Sequence, residues 1–210
     1  MSGELYIIGI GPGSKDYITP MAQRHIAECD LLLGHERLTR LFAIPSHELD
    51  LRGDPPEAVK FILAHRSRLN MAVLVSGDPG LHSFLRVLRR YLNEDEYEVV
   101  PGISSVQLAF AKLKDCWEDA TILRLHGLEG DAWVTVVEEH PKVAILTDQR
   151  WTPREIARRL LEHGIEDREF IICENLSYPE ERILRTDICT ALNAAEAEGL
   201  NLVIVREKKG

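Results

Sequence analysis

The sequence has few cysteines and no long hydrophobic run, and both features narrow the class of protein. The four cysteines are Cys29, Cys116, Cys173 and Cys189. No two of them have CxxC spacing, so neither a zinc knuckle nor a disulfide framework is indicated. We expect buried thiols in a reducing compartment and no metal site. No apolar stretch approaches the ~20 residues that a membrane span needs, and the start lacks a basic n-region. We therefore expect a soluble, cytoplasmic protein with no membrane partner.

A surplus of basic residues is also missing. Lys and Arg number 25 against 34 Asp and Glu, which gives a formal net charge of −9. Nucleic-acid binders usually carry a basic surplus, because neutralising phosphates supplies much of their affinity. We therefore expect no nucleic-acid partner. To bind an anionic substrate, the protein would need a local cluster of basic residues, because its overall negative charge repels anions.

Strand-like and helix-like stretches alternate along the chain, which is typical of α/β proteins. The run "MAVLV" is apolar on both faces and predicts a central strand of a parallel sheet. The pairs Thr19-Pro20 and Thr152-Pro153 each predict a helix start, because Thr can cap the helix and Pro fits its first turn. A further helix is predicted from an apolar stripe at helical spacing, formed by Leu81, Phe84, Leu85, Leu88 and Leu92.

The pattern changes near residue 115, where the polar stretch "KDCWED" interrupts it. Five closely spaced strand candidates follow, namely "ATILRLHG", "KVAILTD", "REFIICEN", "RILRT" and "LNLVIV". We expect two α/β domains. The N-terminal domain, residues 1–115, should have a parallel, doubly wound sheet, and the C-terminal domain, residues 116–210, a mixed sheet.

The first glycine loop, "IIGIGPGSKDY", invites comparison with dinucleotide-binding loops. Its glycines have GxGxG spacing, and Ser14 stands where the third glycine of GxGxxG belongs. The predicted helix begins only near Thr19, whereas a dinucleotide fold needs a helix N-terminus beside the glycines to hold the pyrophosphate. An NAD(P) oxidoreductase is therefore kept only as an alternative of another class.

Two more glycine turns follow strand candidates, in "LVSGDPGLHSF" and "VVPGISS". These glycines can serve as ordinary turn residues, with Asp78 bonding nearby amides. They can equally let a ligand touch main chain at the carboxyl ends of strands, where open α/β sheets bind ligands. Both interpretations stay open at this point.

Taken with these turns, the motifs "GIGPGS", "SGDPG", "VPGISSVQLAFAKL", "LHG", "ILTD" and "ENLSYPEERI" are spread along nearly the whole chain. In them the chain resembles the tetrapyrrole methylases, which transfer a methyl group from S-adenosylmethionine. "PGISSVQLAFAKL", "WEDA" and "ENLSYPEERI" are most similar to the branch that methylates carbon 5 of precorrin-7 or its cobalt form in corrin synthesis. His82 departs from the family pattern, which has an aromatic such as Tyr or Phe there.

The resemblance implies a homodimer of two-domain chains, with S-adenosylmethionine between the domains and a tetrapyrrole substrate in an adjacent trough. "GPGS" would then be a wall on the substrate side and not a phosphate cradle. Carried over by position, the cofactor contacts are Pro12, Ser76, Gly77, Asp78, Leu81, Ser104, Ser105, Leu146 and Leu176.

No catalytic dyad or triad is visible, and methyl transfer from a sulfonium does not demand one. His126, Tyr17 and His35 are candidates to accept the proton that the methylated ring loses, although each can equally be a structural side chain. Arginines suit the carboxylates of the substrate. The candidates are Arg37, Arg40, Arg86, Arg124 and Arg182.

Alternatives remain within the resemblance as well. The chain could methylate another ring position or another substrate, or bind S-adenosylmethionine without catalysis. Because the chain ends at Gly210, we expect a decarboxylating methylase, sometimes fused in relatives, to be a separate protein here.

Overall fold

The computed structural model describes residues 3–48, 55–125, 127, 129–193 and 199–208. Close contacts divide the chain into two compact units, residues 1–105 and 106–210. Each unit is described by itself below. The predicted domain boundary between residues 115 and 116 stays a prediction.

The first unit is built on a parallel sheet with the strand order β3-β2-β4-β1-β5. Its strands are β1 (Leu5–Gly9), β2 (Leu31–Gly34), β3 (Ser46–Glu48), β4 (Met71–Val75) and β5 (Glu98–Val100). All five residues of β4 are buried, which confirms the central strand predicted from "MAVLV". The edge strand β3 was not predicted, because it is short and polar.

Helices cover both faces of this sheet, so the unit is doubly wound. They are α1 (Pro20–Glu28), α2 (Glu36–Thr39), α3 (Pro55–His65) and α4 (Leu85–Leu88), and α5 (Ser105–Leu113) begins at the last residue of the unit. Ile26 of α1 packs with Ile8 on one face, and Ile62 of α3 packs with Ile7 on the other. The predicted start of α1 is confirmed, since the Thr19 hydroxyl accepts the Ala22 N–H at 3.1 Å.

The helix predicted from the stripe at residues 81–92 is much shorter in the structure. Only Leu85–Leu88 is α-helical, and turns flank it on both sides. His82 has a φ of 53°, in the left-handed region, which prevents a right-handed helix from starting at Leu81. Phe84, Leu88 and Leu92 of the stripe are nevertheless buried. The apolar pattern thus correctly predicted which side chains are buried, but not the length of the helix.

The second unit has the mixed sheet that the sequence predicts, in the order β6-β7-β10-β8-β9. Its strands are β6 (Thr121–Arg124), β7 (Lys142–Leu146), β8 (Glu169–Glu174), β9 (Arg182–Asp187) and β10 (Asn201–Arg206). Strands β6 and β7 are parallel, whereas β10 runs antiparallel to β7 and β8, and β9 antiparallel to β8. All five strand candidates are thus confirmed.

Three helices cover one face of this second sheet, namely α6 (Ala132–Glu139), α7 (Pro153–Glu162) and α8 (Ile188–Ala191). The predicted cap of α7 is present, since the Thr152 hydroxyl accepts the Glu155 N–H at 3.2 Å. The other face carries Lys142, whose Nζ lies 5.6 Å from the ring centre of Phe110 on α5. Arg206 on that face pairs with Asp115, just after α5.

The four cysteines are not all buried, which corrects the expectation. Cys29 and Cys173 are buried, but Cys116 and Cys189 are exposed, and all four are free thiols. Cys116 lies in the polar segment after α5, and Cys189 lies on the outer side of α8, where neither packs into a core. Within the described part of the chain, no helix is both long and apolar enough to cross a membrane.

Candidate functional site

Three glycine-containing loops leave the first sheet at the same edge. Strand β1 pairs in parallel with β4 and with β5, in the registers Gly9↔Val75 and Ile8↔Val100. The carboxyl ends of the three strands therefore lie side by side. The loops that follow them, residues 10–14, 76–81 and 101–104, form what we call the glycine edge.

The loops of the glycine edge are bonded and packed directly onto one another. Gly11 and Gly77 form an isolated antiparallel bridge, in which the Gly77 N–H donates to the Gly11 carbonyl at 2.8 Å and the Gly11 N–H donates back at 3.3 Å. A methyl group on Gly102 would lie 2.7 Å from the carbonyl of Gly9 and nearer still to the carbonyl oxygen of Gly77. Gly102 therefore has no room for a side chain, because the main chains of Gly9 and Gly77 pack directly against it.

Asp78 ties two of these loops together. One carboxylate oxygen accepts the Gly80 N–H at 2.7 Å, within its own turn. The other accepts the Gly102 N–H at 3.1 Å, across to the loop after β5. The turn role that the sequence left open for Asp78 is therefore real, and it extends to a neighbouring loop.

The cofactor residues predicted in the first unit lie along this edge. Gly77 has a φ of 71°, which favours glycine, and it lies against the Cα of Ser104. Pro12 and Ser104 are buried, Asp78, Leu81 and Ser105 are half-buried, and Ser76 is exposed. The structure brings these residues to one edge of one sheet; their role as cofactor contacts stays a prediction.

The two residues predicted in the second unit lie at one end of its sheet. Leu146 ends β7 and faces Leu202 across the β7–β10 ladder, and Leu176 follows the end of β8. The Thr147 hydroxyl donates to the Asn201 carbonyl at 2.5 Å, and the Asn175 N–H donates to the Leu200 carbonyl at 2.7 Å. The loops that follow Leu146 and precede Leu176 are thus both bonded to the segment that enters β10.

The predicted substrate arginines fall into two groups. Arg182 holds Glu174 with both sides of its guanidinium, one contact being Nη2 to Oε1 at 2.9 Å, so its fork is already bound to a carboxylate. Arg37 and Arg40 lie in or just after α2, which follows β2, the neighbour of β4 on its other side. Arg86 lies on α4, and Arg124 ends β6 opposite Leu146.

The proton-acceptor candidates differ in what the structure allows. The Nδ1 of His35 accepts the Arg37 N–H at 3.1 Å, so this nitrogen already has a hydrogen-bond donor within α2. Tyr17 packs its Cβ against Gly11. His126 lies outside the described residues.

One feature of the second unit was not predicted from the sequence. The loop after β8 contains two non-glycine residues with positive φ, Asn175 at 45° and Ser177 at 72°. The motif "ENLSYPEERI" does not predict this backbone conformation.

Comparison with known proteins agrees with this architecture. The family model "Tetrapyrrole (Corrin/Porphyrin) Methylases" matches residues 4–191. A probable cobalt-precorrin-7 C(5)-methyltransferase of Methanocaldococcus jannaschii is 34% identical, over 85% of this chain and 87% of that protein. A cobalt-precorrin-7 C(5)-methyltransferase of Salmonella typhimurium is 31% identical, over 98% of this chain and 100% of that protein.

A solved structure shows the same fold. The uroporphyrin-III C-methyl transferase of Thermus thermophilus, complexed with S-adenyl homocysteine, superposes with a TM-score of 0.78. It is 22% identical, and the match covers 98% of each chain. With the family model spanning most of its length and relatives above 30% identity along nearly all of it, this chain belongs to the tetrapyrrole (corrin/porphyrin) methylases.

Proposed function

We propose that this chain is an S-adenosylmethionine-dependent methyltransferase that methylates carbon 5 of precorrin-7, in its cobalt form, during corrin synthesis. The observation that carries this proposal is the name shared by the two relatives, one of which aligns along the whole of its length. Their shared name also favours carbon 5 over the other ring positions.

The chemistry of the glycine edge fits the proposed cofactor. The loops of the glycine edge, residues 10–14, 76–81 and 101–104, include no Lys or Arg, so the edge offers main-chain groups and the exposed Ser76 hydroxyl to a ligand that carries a positive sulfonium. A dinucleotide fits less well, because only a short 3-10 turn, Lys15–Tyr17, follows the first loop, and α1 begins six residues after Ser14. The nine residues carried over from the family are our proposal for the cofactor contacts.

When bound, the cofactor supplies an electrophilic methyl group, which an electron-rich ring carbon can take by in-line displacement. The protein's task is then to hold donor and acceptor in line, which can lower the barrier by ~7–11 kcal/mol. Main chain fixed by the Gly11–Gly77 bridge and by Asp78 suits that task, because it cannot change rotamer.

Substrate carboxylates are proposed to meet the arginines near the glycine edge. Strands β2 and β4 are parallel neighbours, so α2 starts at the same edge of the sheet as the "GDPG" turn. Arg37 and Arg40 are therefore our first candidates to meet substrate carboxylates, because α2 places them near this edge.

We also propose that the protein acts as a homodimer in the cytoplasm, as the family resemblance implies. Exposed free thiols at Cys116 and Cys189 suit a reducing compartment. Light scattering on the purified chain should give twice 23.8 kDa, and a value of 23.8 kDa would contradict the dimer.

The decisive assay is incubation of the chain with cobalt-precorrin-7 and ¹³C-methyl-labelled S-adenosylmethionine. We expect mass spectrometry to show one added methyl group and NMR to place the label on carbon 5. A label on another carbon would support a methyltransferase but reject carbon 5 as the position of methylation.

Calorimetry distinguishes the two cofactor classes. We expect heat of binding from S-adenosylhomocysteine and none from NAD, and the reverse result would favour an oxidoreductase.

A further inference from the structure

The loop between β8 and β9, residues 175–181, has an unusual backbone. Asn175 and Ser177 both have left-handed φ values, of 45° and 72°, on either side of the buried Leu176. Asn tolerates this region because its short amide can bond locally, but Ser adopts it rarely and at an energetic cost. Surrounding contacts must therefore hold the loop in this conformation.

The first half of the loop is held by contacts between Asn175 and residues 199–200. Asn175 donates its N–H to the Leu200 carbonyl, and its side-chain oxygen accepts the Leu200 N–H at 3.1 Å. Gly199 has a φ of 72°, and a methyl group there would collide with the Asn175 amide. Both the main chain and the side chain of Asn175 are therefore held by the segment that precedes β10.

The second half depends on one carboxylate. Glu181 accepts the Ser177 N–H with Oε2 at 2.8 Å, and its Oε1 accepts from the Lys112 Nζ at 2.6 Å. Lys112 lies in the last turn of α5, so it reaches the loop from another element. Glu181 thus connects the strained residue beside Leu176 to a helix that packs on the sheet.

The electrostatics favour a charged Glu181. Partial burial works against the charged carboxyl, but the Lys112 ammonium and the Ser177 N–H outweigh it and hold the pKa of Glu181 below its usual value. The bridge is therefore charged at neutral pH.

We propose that Glu181 is a positioning residue that sets Leu176 in place for the cofactor by bracing Ser177 against Lys112. This inference rests on the proposed function, since Leu176 is one of the proposed cofactor contacts. Glu181 touches neither the proposed cofactor nor the substrate in this account; it acts through the loop backbone. Because Lys112 and Glu181 are 38% and 21% exposed at their side chains, their attraction adds little to global stability.

The test uses Glu181→Ala, Glu181→Gln and Lys112→Ala in the full chain. For Glu181→Ala we expect about tenfold weaker binding of S-adenosylhomocysteine by calorimetry and a similar rise in the KM for S-adenosylmethionine, with kcat within about twofold. Glu181→Gln keeps an acceptor for Ser177 but loses the charge, so it should weaken binding by about threefold. Lys112→Ala should add little once Glu181 is already Ala, because both changes break the same bridge.

A matched control is the ion pair between Lys208 and Asp167, whose charged atoms are also 2.6 Å apart. Lys208 follows the end of β10 and Asp167 precedes the start of β8, so this pair lies at the end of the sheet opposite to the loop. Lys208→Ala should leave the affinity unchanged. Amide exchange at residues 175–178 should rise in Glu181→Ala without any ligand, and thermal unfolding should stay close to that of the wild type.

The outcomes separate the two proposals. A wild-type chain that binds no S-adenosylhomocysteine rejects the proposed cofactor itself. A wild type that binds it, with equal affinity in Glu181→Ala, overturns the positioning role. An equal loss in Lys208→Ala would also overturn it, because the effect would then come from surface charge in general.

Discussion

Gly102 offers a sharp test of how the glycine edge is built. The change Gly102→Ala adds one methyl group, which would lie 2.7 Å from both the carbonyl carbon and the carbonyl oxygen of Gly9. The carbonyl oxygen of Gly77 is nearer still. These are main-chain atoms, so no side-chain rotation can relieve the contact.

The size of the effect follows from this geometry. A carbon normally approaches a carbonyl oxygen to about 3.3 Å, so the end of β1 and the loop after β4 must move apart from the loop after β5 by roughly 0.6–1 Å. Overpacking of this kind costs about 1–3 kcal/mol of unfolding free energy. A shift of that size should also strain the Asp78 bond to the Gly102 N–H, so we expect at least about tenfold weaker binding of S-adenosylhomocysteine.

The assay is urea unfolding together with calorimetry on the same preparations. Gly130→Ala is the control, because Gly130 has a φ of 77° and open space around it. This change tests backbone strain alone, at about 1–2 kcal/mol, and should keep the affinity for S-adenosylhomocysteine.

Normal affinity in a Gly102→Ala protein would refute the proposal that this packed edge forms the cofactor site. Normal stability would show that the loops yield more easily than the contacts indicate. The change Gly77→Val is a poorer test, because the φ of 71° at Gly77 strains any side chain whether or not a ligand binds.

Three further predictions concern other contacts. Asp78→Ala should cost about 2–3 kcal/mol of unfolding free energy, measured in urea, because two N–H groups lose a charged acceptor. Asp78→Asn should cost less, and equal losses in the two variants would contradict this bonding role. Burial raises the pKa of Cys29 and of Cys173 to about 12. At pH 8 only the exposed Cys116 and Cys189 should therefore react with a disulfide reagent, and rapid reaction of all four thiols would contradict this prediction. Because the pKa of Glu181 is lowered on folding, its small contribution to stability, about 0.2–1 kcal/mol, is present above the unfolded pKa of about 4.3 and is lost as pH falls. The small difference in unfolding free energy between wild type and Glu181→Gln should therefore shrink between about pH 5 and pH 3, and a constant difference would reject this assignment.

Much of the fold could be predicted because its signals are local. "MAVLV" predicts a buried parallel strand from five adjacent residues, and Thr19-Pro20 and Thr152-Pro153 predict helix starts from two. By contrast, the polar strand β3 carries no apolar pattern, and the left-handed backbone at His82 cannot be inferred from the stripe around it.

The site was less predictable because its contacts join distant parts of the chain. Asp78 and Gly102 meet only because β4 and β5 lie on the two sides of β1. Lys112 and Glu181 are separated by 69 positions, and nothing near either residue indicates the other. The motifs identified the glycine turns, but they could not predict which hydrogen bonds fix these turns in place.

The central claim is that main chain at the glycine edge receives an adenosyl cofactor. A crystal structure of this chain with S-adenosylhomocysteine tests it most directly. We predict ligand atoms within about 4 Å of the main chain of residues 76–78, with Leu146 and Leu176 against the adenine. Ligand density at any other place on the molecule would contradict the claim.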